Sequence, residues 1–137
     1  MDKQLISEKL ESLRRCVLRL EEKCPESFEQ LKSDIDAQDI VTLNLTRAVQ
    51  LSVDIAAHLI SDQSVAPPNT MAKSFDEMVK LGFLDDALAT SLKKSVGFRN
   101  IAIHEYEEIN WEIVSSICKK NVGEFKQYAL LISKMIG

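Results

Sequence analysis

The stretch Ala37–Ser61, AQDIVTLNLTRAVQLSVDIAAHLIS, decides the fold. Val41, Leu45, Ala48, Ser52, Ile55 and Leu59 recur along it at alternating steps of four and three. That spacing draws one stripe along a helix and fits no strand, whose faces alternate at every residue. The small members of the stripe (Ala48, Ser52 and neighbouring Ala56) let another helix approach closely. Working outward, the same rhythm holds upstream in Ile6, Leu10, Leu13, Val17, Leu20 and Cys24, with Glu8, Glu11, Arg15, Arg19 and Glu22 largely outside the stripe. Pro25 ends that helix and opens a short one from Glu26 to about Ser33. Downstream, Pro67-Pro68 fixes a loop over 62–70. Thr70 is placed to cap a short helix reaching Leu81, and Gly82 to end it. A fifth helix is predicted from Leu84 to about Ile103. A sixth runs from about Asn110 to Ile136, with Val114, Cys118, Val122, Phe125, Ala129, Ile132 and Ile136 on its stripe. Four long helices, two short ones and no convincing strand predict an all-α, up-and-down bundle.

Composition narrows the function classes. A length of 137 residues predicts a single domain over 1–137. With 17 Lys+Arg against 21 Asp+Glu, the net charge of −4 speaks against a generic polyanion binder, so any nucleic-acid role must rest on a local patch. Cys16, Cys24 and Cys118 are odd in number, include no C-x-x-C and suit no common zinc module. They read as free thiols of a reducing compartment. No apolar run approaches the ~18 residues of a membrane span, and no signal-peptide core follows the N-terminus. The expectation is a cytoplasmic protein with no membrane partner.

The fifth helix carries an anomaly. At about 100° per residue, Leu88, Leu92, Val96 and Ile103 fall within about 80° of one another, and Arg99 lies inside that arc. Burying an unpaired guanidinium is very costly. Arg99 therefore either reaches an acidic partner or faces a surface that is apolar for another reason, such as a subunit interface or a cleft. His104 lies about 140° away on an unbroken helix. The two converge only if the helix ends near Ile103 or a second copy supplies one of them. Arginine grips a phosphate with a bidentate fork, and histidine moves protons near neutrality. Together they suit RNA cleavage in which the ribose 2′-hydroxyl attacks the adjacent phosphate. No His cluster or acidic pair suggests a metal site, and no cofactor is indicated.

The segment Gly97-Phe98-Arg99-Asn100-Ile101-Ala102-Ile103-His104-Glu105-Tyr106 resembles the R-x(4–6)-H signature of HEPN-domain ribonucleases, in the R-N-x-x-x-H-x-Y form of HepT-type toxins. The helix order, the Arg47–Leu59 stretch and the Phe75–Leu84 approach are similar to that family as well. The resemblance implies a homodimeric, metal-independent endoribonuclease toxin of a type VII toxin–antitoxin module, cutting tRNA or mRNA in a cleft at the dimer interface. Arg99 and His104 are then catalytic and Asn100 supports them. Tyr106 is the acceptor of AMP, delivered from ATP by an MntA-type nucleotidyltransferase antitoxin. Each AMP adds charge and bulk beside the phosphate-binding arginine.

Other features admit two readings each. Lys93 and Lys94 form either a phosphate-guiding rim or a solvated helix face, as do Lys119 and Lys120. Arg14, Arg15 and Arg19 form a further basic cluster. Arg47, Asp54 and His58, at helical steps of seven and four, are either a network orienting Arg99 or a structural ion pair beside a satisfied histidine. Glu105, Glu107 and Glu108 read as a solvated acidic edge, with docking of a basic antitoxin surface as the alternative. Trp111 reads as a core or interface anchor. Two competing functions stand beside the nuclease: a non-catalytic regulatory subunit binding a minimal nucleotidyltransferase, and a nucleotide-binding module without turnover.

Overall fold

The computed structural model describes residues 2–137. Six helices follow one another: α1 (Lys3–Lys23), α2 (Phe28–Ser33), α3 (Ile35–Ser61), α4 (Met71–Lys80), α5 (Asp86–His104) and α6 (Trp111–Ile136), with a 3-10 turn at Tyr106–Glu108 before α6. Every helix starts on a short polar side chain that accepts from a free backbone N–H of its first turn. These caps are Asp2, Ser27, Asp34, Thr70, Asp85 and Asn110. Each such cap contributes about 1 kcal/mol and fixes where its helix begins.

The caps explain the small shifts from the expected boundaries. α2 starts at Phe28 because Ser27, not Pro25, takes the capping position. α5 starts at Asp86 because Asp85 caps it, which leaves Leu84 buried in the preceding turn. α5 also continues through His104. The 3-10 turn is too short to carry a periodic signal. Between α4 and α5, Gly82 has φ of 81°, in the left-handed region that glycine enters without a Cβ clash.

α3 is the central element. It packs on α1, α4 and α5, while α6 packs on α1 and α5. Its predicted stripe is the buried one: Val41, Leu45, Ala48, Ser52, Ile55, Ala56 and Leu59 are all inside. The small residues have the expected consequence. Tyr128 of α6 is fully buried and reaches α3, where its hydroxyl donates to the Ser52 carbonyl at 2.8 Å. Phe75 of α4 meets the Tyr128 ring edge-on at 6.1 Å. This aromatic pair ties α3, α4 and α6 together. Among the described residues no helix is long and apolar enough to cross a membrane.

Candidate active site

The core stripe leaves α3 a second face. Asp39, Leu43, Gln50 and Asp54 lie within about 60° of one another on it. Across this face runs α5, and Arg99 projects onto it. The Arg99 guanidinium donates from Nη2 to Gln50 Oε1 at 3.2 Å and from Nη1 to Asn100 Oδ1 at 3.3 Å. Its Nε is buried and makes no hydrogen bond in the structure. Gln50 is itself oriented: its Nε2 donates to Asp54 Oδ1 at 2.9 Å, and Asp54 Oδ2 lies 3.5 Å from Lys9 Nζ of α1. A polar chain thus runs Lys9–Asp54–Gln50–Arg99, through three helices. Its polarity is consistent at each step, since the cation holds the carboxylate, the carboxylate takes the amide N–H, and the amide oxygen faces the guanidinium.

The acidic partner expected for Arg99 is not what it meets: its bonds go to two neutral amides, Gln50 and Asn100. Gln50 and Asn100 satisfy the two terminal nitrogens of a half-buried guanidinium without neutralising its charge. Asn100 is exposed and fixes the other edge of the fork. Leu88, Leu92 and Val96 of the expected arc are buried, whereas Ile103 is 47% exposed. The last turn of α5 thus leaves the core, which is why Arg99 stands at the border of core and solvent.

His104 is the last helical residue of α5 and is exposed. Because the helix does not break at Ile103, Arg99 and His104 leave it about 140° apart. One chain does not bring them together by helix termination. After Glu105 the chain folds back through the 3-10 turn, which carries Tyr106 towards the start of α3. There its hydroxyl donates to Asp39 Oδ1 at 3.2 Å. The Tyr106 ring meets Trp111 edge-on at 6.4 Å, so Trp111 supports the turn from below. Partial burial, and then the Asp39 carboxylate, push the phenol above its usual range. Glu105, Glu107 and Glu108 are all exposed.

The remaining candidates are distributed as follows. Lys93 is tied to Asp76 of α4 at 2.7 Å and not to the Arg99 chain of bonds. Lys94 is exposed and lines an apolar groove between α5 and α6 with Lys120, Phe98 and Ile113. Of the Arg47, Asp54 and His58 trio, only Asp54 connects to Arg99, and it does so through Gln50. Arg47 is exposed on the side of α3 that faces α1. No side-chain bond of His58 links it to this network; its carbonyl accepts from Ser61. Gln50 and Asp39 were not singled out by the sequence. Their only signal is their common face with Asp54, and nothing in one sequence says which residues of α5 lie across it. Among the described residues no three His, Cys, Asp or Glu side chains group as a metal site.

Two cysteines form a pair of their own. Cys24 at the end of α1 and Cys118 of α6 line the same small cleft. Their mutual interaction pulls Cys24 below the usual thiol range and, together with burial, pushes Cys118 above it.

Comparison with known proteins places this architecture. The ribonuclease HepT-like family model matches residues 9–132. The mRNA nuclease HepT of Shewanella oneidensis is 33% identical over 124 residues, covering 90% of this chain and 92% of that protein. The tRNA nuclease HepT of Aphanizomenon flos-aquae is 30% identical over 84 residues, covering 61% of this chain and 57% of that protein. Among solved structures, the tri-AMPylated Shewanella oneidensis HEPN toxin in complex with its MNT antitoxin superposes with a TM-score of 0.87 at 32% identity, covering 98% of each chain. The helix order, the motif at the end of α5 and these matches agree: the chain belongs to the HepT-like ribonuclease family.

Proposed function

We propose that the chain, acting over its full 1–137 as one unit in the cytoplasm, is the endoribonuclease toxin of a toxin–antitoxin pair. Arg99 and His104 carry the cleavage. The observation that supports this reading is the state of Arg99: its fork is pre-set by Gln50 and Asn100, no carboxylate among the described residues pairs with its charge, and it stands half-buried. Such a guanidinium is positioned to receive a phosphate and to stabilise the extra charge of a pentacoordinate phosphorane, at little reorganisation cost.

The chemistry balances without any further group. The ribose 2′-oxygen attacks the neighbouring phosphorus as its proton leaves. The 5′-oxygen departs and takes up a proton, which leaves a 2′,3′-cyclic phosphate and a free 5′-hydroxyl. His104 serves one of those two transfers and solvent water the other. Because Arg99 and His104 diverge on α5, the site is completed by a second copy of the chain packed beside Ile103, which is 47% exposed. The RNA is a tRNA or an mRNA.

The same surface accounts for neutralisation by a nucleotidyltransferase antitoxin of the MntA type. Tyr106 stands on the face that holds Arg99, and its hydroxyl is oriented by Asp39. In AMP transfer the phenolic oxygen attacks the α-phosphorus of ATP, pyrophosphate leaves, and the phenolic proton has an acceptor in the Asp39 carboxylate. The product puts phosphodiester charge and a base where the RNA phosphate must bind.

The test is to incubate the purified chain with tRNA and with mRNA in EDTA and to read the new ends by mass spectrometry. Fragments ending in 2′,3′-cyclic phosphate are expected. Intact RNA of both kinds would overturn the reading.

A further inference from the structure

We propose that the groove between α1 and α3 is an RNA-binding subsite, in which Arg15, Arg19 and Arg47 hold phosphates of the strand that runs to Arg99. This rests on the ribonuclease reading and extends it from the reacting phosphate to its neighbours.

The groove has a volume of about 600 Å³ and is lined by three arginines and no carboxylate. In a chain whose net charge is −4, that is a local inversion of sign. The arginines are available. Glu11 is held by Arg14, which donates to both of its oxygens at 3.0 and 2.7 Å, and only brushes Arg15 at 3.8 Å. Arg19 meets Glu22 at 4.0 Å, the outer limit of an ion pair. Arg47 is exposed, and no ion pair joins it among the described residues. The carboxylates on the adjoining face of α3 are also engaged, Asp54 by Lys9 and Gln50, and Asp39 by Tyr106.

Continuity with the site comes from Gln50, which lines the groove and also accepts from Arg99. α1 runs antiparallel to α3, with Lys9 opposite Asp54. Arg15 and Arg19 therefore follow one another along the groove away from Gln50, ~6 Å apart along the helix axis. Arg47 rises from the opposite wall. A row of cations at this pitch suits consecutive phosphates of one strand. Exposed Leu43, also in the groove lining, supplies an apolar surface for a base or ribose. Lys134, exposed on α6 and outside this groove, provides an internal control.

The experiment measures binding of a fluorescently labelled single-stranded RNA by anisotropy across a salt series, in a His104→Ala background that prevents cleavage. Arg15→Gln/Arg19→Gln/Arg47→Gln is expected to weaken binding at least tenfold. It should also reduce the slope of log affinity against log salt by about 2, since each phosphate contact on a single strand contributes ~0.7. The corresponding triple Lys variant keeps most of the slope, and Lys134→Gln, on the exposed face of α6, changes neither quantity. If the Gln triple does not fold, the three single Gln variants carry the same readout at about 0.7 each. With His104 intact, the triple raises KM and leaves kcat within twofold. Unchanged affinity and slope, while the wild type still cleaves RNA, overturn the subsite alone. Absence of both binding and cleavage in every form overturns the ribonuclease reading with it. Loss of nucleotidyltransferase binding with RNA binding intact assigns the groove to a protein partner and overturns the proposal.

Discussion

Arg99 owes its position to a residue forty-nine places away in the chain. Gln50 accepts from the guanidinium and is locked by Asp54, which Lys9 holds in turn. Each link is modest on its own, and the part-exposed Lys9–Asp54 pair contributes little to stability. The value of the chain lies in pre-setting a fork whose misplacement by an ångström is expensive in rate. Gln50→Ala is accordingly expected to lower the cleavage rate about 10- to 100-fold while shifting the melting temperature little. A rate assay paired with a thermal melt checks it, and an unchanged rate would remove Gln50 from the account. At this scale the sequence was half legible. Arg99, Asn100, His104 and Tyr106 stand out through the resemblance of their segment to a family motif, not through spacing alone. Gln50 and Asp39 do not, because an ordinary glutamine and aspartate on an exposed helical face become site residues only through what α5 places opposite them.

The elements themselves were written plainly. Steps of four and three gave the buried stripes of α1, α3 and α6, and proline and glycine marked most of the breaks. What periodicity lacked was the exact start of a helix, which capping side chains such as Ser27 and Asp85 decide. It also lacked the 3-10 turn, whose three residues complete no helical period but carry Tyr106 back to α3. Two glycines separate turn chemistry from helix chemistry. Gly82 sits at φ 81° with nothing within 4 Å of a built Cβ, so Gly82→Ala meets backbone strain rather than crowding. It should cost about 1–2 kcal/mol. Gly123 lies inside α6 with equally open surroundings, so Gly123→Ala should stabilise by roughly 0.5–1 kcal/mol. Chemical denaturation of the two variants checks both signs.

At the scale of the whole molecule, an acidic chain has to act on an acidic polymer. Net charge predicts poor long-range attraction to RNA, and pairing two copies doubles the −4. The structure answers locally. Arg99 meets only neutral partners, Gln50 and Asn100, and three weakly compensated arginines line the groove that Gln50 shares. A site that relies on so few charges is easily silenced. AMP on Tyr106 puts negative charge on the same face, and Asp39 already orients the hydroxyl that would receive it. Co-expression with an MntA-type nucleotidyltransferase is expected to raise the mass of the chain by whole multiples of AMP and to stop cleavage. Tyr106→Phe should show no shift, and an identical shift in that variant would place the acceptor elsewhere.

The central claim is that Arg99 and His104 perform the cleavage, and the rate of RNA cutting in EDTA by purified wild type, Arg99→Ala and His104→Ala tests it most directly. Neither side chain is in the core, so all three proteins should melt alike. Cleavage by the wild type, and loss of at least 100-fold in each variant, is the predicted result. Equal rates from the three proteins would contradict it.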